Sequence, residues 1–139
     1  MTTIMEPTGS IATIEHPAGE PGERSGYWYE ICRLAELEPE WGEAALVDGI
    51  QLAIFRLWDD RVVITANHDP RTGSAVMARG IVGTHQGIPT IASPLHKEAY
   101  SLETGECLSN PDLRLELYPS RVVDGTVQVA VADSAGTNS

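Results

Sequence analysis

The chain has only two cysteines, Cys32 and Cys107, far apart and without any Cys-x-x-Cys spacing, so no thiol–disulfide motif and no thiolate metal site is visible. Free, reduced thiols are the expectation. No apolar run approaches the roughly 20 residues that span a bilayer, and the N-terminus lacks the basic, then apolar, then small-residue order of a secretory signal. A cytoplasmic protein without a membrane partner is therefore expected. Basic residues are scarce, 9 Lys and Arg against 20 Asp and Glu, giving a net charge of −11. Nucleic acid and anionic lipid carry the same sign as the chain, which excludes both as partners and favours a neutral or basic one. No nucleophile elbow, no Ser-His-Asp order and no carboxylate pair stands out, so no catalytic residue and no independent hydrolase is predicted. A Gly-x-Gly-x-x-Gly fingerprint for a dinucleotide is also missing.

What the chain does have is an ordinary globular composition, 42% hydrophobic and 21% charged over 139 residues, sized for one domain. Residues 1–25 are rich in Gly, Pro, Thr, Ser and Glu without periodicity and read as a disordered tail, as do residues 132–139. Between them, residues 26–131 have the texture of short strands divided by turns, which predicts an all-β domain. Trp28 to Cys32 opens it. A single helical turn over Leu34 to Leu37 ends before Pro39. Asp48-Gly49, between Ala44 to Val47 and Ile50 to Leu57, is a strong hairpin signal, and Asp124-Gly125 repeats it between Arg121-Val122-Val123 and Thr126 to Val131. Arg61 to Thr65, after Asp59-Asp60, alternates like a half-buried strand.

Residues 67–111 carry a cluster of turn formers, and loops displayed on a β scaffold are where binding groups tend to sit. Asn67-His68-Asp69-Pro70-Arg71 and Ser93-Pro94-Leu95-His96, followed by Tyr100-Ser101-Leu102-Glu103-Thr104-Gly105, resemble the two cluster-binding loops of Rieske proteins. The resemblance implies an antiparallel β-sandwich or barrel with two protruding loops. It also places the four ligand positions, one Cys and one His per loop in that family, on Asp69, Arg71, Ser93 and His96. A Rieske cluster needs two thiolates and two imidazoles. Asp69 and Ser93 offer oxygen, and the Arg71 guanidinium has no lone pair to give. These are vestigial positions, and no cofactor or metal is expected in this chain.

Two other patterns compete. Gly83-Thr84-His85-Gln86-Gly87 superficially resembles a Rieske string, but Gly83 stands where the Cys would be and the stretch lies too close to the second loop. His68, His85 and His96 with Asp69 are ligand types that suit zinc or ferrous iron, yet their spacing shows no local ligand motif.

The ordered set Asp69-Pro70, Val76-Met77-Ala78-Arg79-Gly80-Ile81-Val82-Gly83, Ile91-Ala92-Ser93-Pro94-Leu95, Tyr100 through Leu108, and Tyr118-Pro119-Ser120-Arg121-Val122 is similar to the small subunits of bacterial assimilatory NAD(P)H nitrite reductases. That resemblance implies a heteromeric enzyme reducing nitrite to ammonium. FAD, an iron–sulfur cluster and siroheme would reside in a large partner subunit, and this chain would assemble or stabilise the complex. Asp69, Arg71, Arg79, Ser93 and His96 are the candidate docking residues, with hydrogen bonds and ion pairs replacing the cross-link a metal would make. The alternatives are a Rieske-type ferredoxin carrier, which requires loop cysteines that Cys32 and Cys107 do not supply, and a free-standing interaction module.

Overall fold

The computed structural model describes residues 12–14, 27–96 and 98–131. Eleven strands build it: β1 (Ala12–Ile14), β2 (Tyr27–Arg33), β3 (Trp41–Val47), β4 (Ile50–Arg56), β5 (Val62–Ala66), β6 (Ile81–His85), β7 (Ile88–Ala92), β8 (Ala99–Ser101), β9 (Leu117–Tyr118), β10 (Ser120–Val123) and β11 (Thr126–Val131). Two short 3₁₀ turns, Leu34–Glu36 and Met77–Arg79, complete it. No helix among the described residues is long and apolar enough to cross a membrane.

Turn chemistry sets the strand pairing. Asp48 and Gly49 (φ 50° and 81°) join β3 to β4, and Asp124 and Gly125 (φ 51° and 80°) join β10 to β11, the double positive φ of a type I′ turn. A third such turn, Gln86-Gly87 (φ 54° and 84°), joins β6 to β7 inside the stretch with the misleading Rieske-like string.

The strands form a five-stranded sheet in the order β1-β3-β4-β5-β9 and two three-stranded sheets, β10-β11-β2 and β6-β7-β8. The larger sheet lies between two cores. One holds Ile31, Val47, Leu52, Ile54, Ile64, Val127 and Val129, and the other holds Ala53, Phe55, Met77, Ile91, Tyr100 and Leu115. Strand β4 serves both, Leu52 and Ile54 facing one way and Ala53 and Phe55 the other, all fully buried. That is why its sequence is a nearly continuous apolar run and not an alternating one. The same arrangement corrects the half-buried expectation for β5: Ile64 and Val62 pack on the first core, and Val63 and Ala66 pack on the second.

Strand β1 falls inside residues 1–25, expected to be a disordered tail, and pairs in parallel with β3 through Ala12↔Ala45, Thr13↔Leu46 and Ile14↔Val47. The β-branched Thr13 and Ile14 favour strand, and β3 presents a sheet edge for them to join. The rest of the expected tails, residues 1–11, 15–25 and 132–139, lies outside the described residues.

Candidate functional site

The second core positions the site. Strand β5 runs into a first loop (residues 67–80), and β7 runs into a second (residues 93–98), so both loops emerge together beside the β6-β7-β8 sheet. Asn67, buried at the root of the first loop, holds it in place. Its side-chain carbonyl accepts from the Ala78 amide at 2.8 Å, its backbone carbonyl accepts from Met77 at 2.9 Å, and its own amide donates to Gln51 at 3.1 Å. Sequence reasoning saw Asn67 only as a turn former.

Asp69 and Ser93, which the loop resemblance in the sequence sets at its cysteine positions, meet at the centre. They are 1% and 2% exposed, and the Ser93 hydroxyl donates to Asp69 Oδ2 at 2.5 Å. Asp69 Oδ1 accepts from the Arg71 amide at 2.8 Å, its backbone carbonyl accepts from Gly73, and Ser93 Oγ accepts from the Leu95 amide at 3.2 Å. Every side-chain polar atom of this buried pair thus has a partner, which a buried carboxylate needs if it is not to cost several kcal/mol.

A second tie lies outside the first. Arg71 Nη1 contacts both carboxylate oxygens of Glu98, at 3.0 and 3.3 Å, with the arginine side chain half exposed and the glutamate largely covered. Sequence reasoning anticipated hydrogen bonds and ion pairs among these loop residues without saying which would pair. The structure separates the two roles, giving Asp69 to Ser93 and Arg71 to Glu98. Glu98 carried no signal, being one acidic loop residue among many.

Tyr100, at the start of the strand leaving the second loop, is buried with a hydroxyl that has no hydrogen-bond partner. Burial, and then the negative charge of nearby Asp69, push its pKa up to about 12. Its ring packs in the second core, within reach of the charge of the Asp69–Ser93 clamp. The sequence pattern placed it at the start of the stretch after the second loop but gave it no role.

The remaining predicted residues do not converge. Arg79 ends the Met77–Arg79 turn with an exposed side chain, and His96, His68 and His85 are also exposed. Among the described residues no group of three or more His, Cys, Asp or Glu side chains could hold a metal. Cys32 and Cys107 are buried free thiols, and burial pushes Cys32 up to about 12.

Residues 27–130 match the Rieske-like [2Fe-2S] domain family, and the chain belongs to that family. The nitrite reductase (NADH) small subunit of Escherichia coli strain K12 is 39% identical over 103 residues, covering 73% of this chain and 95% of that protein. The NMR structure of the E. coli protein NirD superposes with a TM-score of 0.71 at 37% identity, covering 78% of this chain and 99% of that one. A Mycobacterium tuberculosis crystal structure, proposed to be an NADH-dependent nitrite reductase small subunit, gives a TM-score of 0.75 at 41% identity over 78% of this chain and 97% of that one. Within the Rieske-like family, the chain stands with the nitrite reductase small subunits.

The family description implies a [2Fe-2S] cluster, and the donor set here does not fit one. Asp69 and Ser93, set at the cysteine positions by the loop resemblance, are oxygen donors in direct hydrogen-bond contact with each other, not parted around an iron. The first histidine position is an arginine already engaged with a carboxylate. Of the four positions only His96 keeps a ligand of the required type.

Proposed function

We propose that this chain is the non-catalytic small subunit of a cytoplasmic NAD(P)H-dependent nitrite reductase, and that it binds no cluster of its own. The observation that carries this reading is kinship over nearly the full length of a nitrite reductase small subunit, combined with loops tied by Asp69–Ser93 in place of ligands. FAD, an iron–sulfur cluster and siroheme belong to the large subunit in this reading, and nitrite becomes ammonium there. One further match supports a large-subunit partner. The nitrite reductase [NAD(P)H] large subunit of Klebsiella oxytoca contains a segment 32% identical to this chain over 111 residues, 80% of this chain and 12% of that protein. A Rieske-like unit carried within such a chain is held near its catalytic parts by covalent connection, and a separate subunit must reach the same neighbourhood by docking.

The loop tip is the proposed docking surface. Asp69 and Ser93 are buried and act from within by fixing the tip's shape, while Arg71, Arg79 and His96 are exposed and available to a partner. Ion pairs and hydrogen bonds at such a tip confer register and orientation more than raw affinity.

The test is anaerobic purification, reconstitution with iron and sulfide, and analysis of bound iron together with co-purification of the large subunit. A colourless, iron-free chain that co-purifies with the large subunit and supports nitrite-dependent NAD(P)H oxidation is expected. Stoichiometric cluster would overturn the cluster-free reading and restore the ferredoxin alternative.

A further inference from the structure

The register of the small sheet shows where apolar side chains are left on the outside. Ile81 of β6 stands opposite Ala92 of β7, and Ala92 opposite Ala99 of β8. Leu108 extends the same row, donating its amide to the Ala99 carbonyl at 2.8 Å beside the Tyr100–Cys107 bridge. Paired residues point to one face of a sheet and the next row points to the other. The next row is Val82, Ile91, Tyr100 and Cys107, and it packs into the second core. Ile81, Ala92, Ala99 and Leu108 therefore lie on the outer face.

Ile81 is 73% exposed, the highest value for a large apolar side chain among the described residues, and Leu108 is 45% exposed. Strand propensity alone does not call for isoleucine there, since threonine forms strand as well. Single exposed apolar residues need no explanation, but these are aligned in one row. The two alanines between them keep the row low, so Ile81 and Leu108 stand as ridges on either side of a shallow apolar floor.

This row is the one nearest the loops. Strand β6 begins at Ile81 directly after the first loop, and the second loop leaves the row at Ala92 and returns to it at Ala99. Gly80 lies so close to the Ala92 carbonyl that a Cβ there would collide with it, which holds the end of the first loop, with Arg79, against the row. The second loop adds Leu95, 48% exposed. An apolar centre thus adjoins the exposed cations Arg71 and Arg79, the arrangement of a protein interface with a dry core and a polar rim.

Charge selects the occupant. Two copies of a chain at −11 repel each other, which disfavours self-association. A partner carrying an apolar side chain with acidic groups beside it fits both halves of the surface. We propose that the large reductase subunit seats such a side chain between Ile81 and Leu108, with Arg79 at the rim. This rests on the docking reading above and deepens it: the tip charges set orientation, and the row supplies the desolvated contact that carries affinity.

Titration calorimetry of the full chain against the purified large subunit tests this, using Ile81→Thr, Ile81→Thr combined with Leu108→Thr, and Val123→Thr as a control at an exposed valine on the β10–β11 hairpin. Ile81→Thr is expected to bind about tenfold more weakly than the wild type and the double variant more weakly still. Unfolding midpoints should stay near the wild-type value, and the loss should persist at high salt, where a charge contact would be screened. The heat-capacity decrease on binding should be smaller in the double variant, and Val123→Thr should bind as the wild type does. Full affinity in both row variants would overturn this inference and leave the docking reading standing, whereas a wild type that does not bind the large subunit would end both. Equal weakening by Val123→Thr would also count against the row. So would a concentration-dependent dimer of this chain that Ile81→Thr abolishes, because a second copy would then be the occupant.

Discussion

At the scale of single residues, the clamp is defined by which groups lose a partner when one member is cut away. Asp69→Ala leaves the buried Ser93 hydroxyl and the Arg71 amide unsatisfied, and a loss of about 1–3 kcal/mol is expected in chemical denaturation. Arg71→Ala removes an ion pair whose arginine is half exposed, and a loss of about 0–1 kcal/mol is expected. Equal losses for the two would contradict the division of labour between them. Asp69 and Ser93 were legible in the sequence because their spacing from Pro70 and Pro94 follows a known loop pattern. Glu98 and Tyr100 were not, because a glutamate in an acidic chain and a tyrosine beside a loop acquire meaning only once the loops are brought together.

Two buried acids give the fold a pH signature. Cys32 is pushed up from 9.0 to about 12, mainly by burial and then by Glu36 and Glu43, and Tyr100 from 10.0 to about 12. Each raised pKa means that the folded state keeps its proton when the unfolded chain has released it. The associated stability is complete below about pH 9 and falls as pH rises toward 12. Denaturation midpoints should decline across this window, and Cys32→Ala should decline less steeply over its lower half. A parallel decline in both proteins would remove Cys32 from the account.

At the scale of elements, hairpins were readable wherever Asp-Gly carried the double positive φ, and the Gln86-Gly87 turn escaped because glutamine is a less usual first residue there. Strand β5 misled for a different reason. Alternation marks a strand with one face in water, and β5 has a core on each side. The contact between β3 and the first loop depends on Gly42, whose missing Cβ admits the Ala78 carbonyl and the Phe55 ring. Gly42→Ala should cost about 1–3 kcal/mol in a thermal or denaturant transition and shift the Met77–Arg79 turn, because a backbone carbonyl cannot yield as a flexible side chain can. An unaltered midpoint would mean that the loop is free to move away from β3.

At the scale of the whole molecule, the two loops of the Rieske-like scaffold are tied to each other by the Asp69–Ser93 hydrogen bond inside and the Arg71–Glu98 ion pair outside. Sequence patterning alone reached only a single all-β domain, and the loop likeness narrowed it to this scaffold. The same scale governs docking. In a chain of net charge −11, a cation without a local partner stands out as a contact for an acidic group on a partner. Arg71 already spends much of its charge on Glu98, whereas the Arg79 side chain makes no ion pair among the described residues. Arg79→Ala should therefore leave the unfolding midpoint unchanged and weaken association with the large subunit about tenfold at low ionic strength, the loss of a single well-placed arginine contact. The difference between variant and wild type should shrink as salt is raised, since exposed charges beyond about 8–10 Å are screened at physiological ionic strength. Titration calorimetry at two salt concentrations measures both effects, and an identical affinity for Arg79→Ala and wild type would move the contact surface away from the tip.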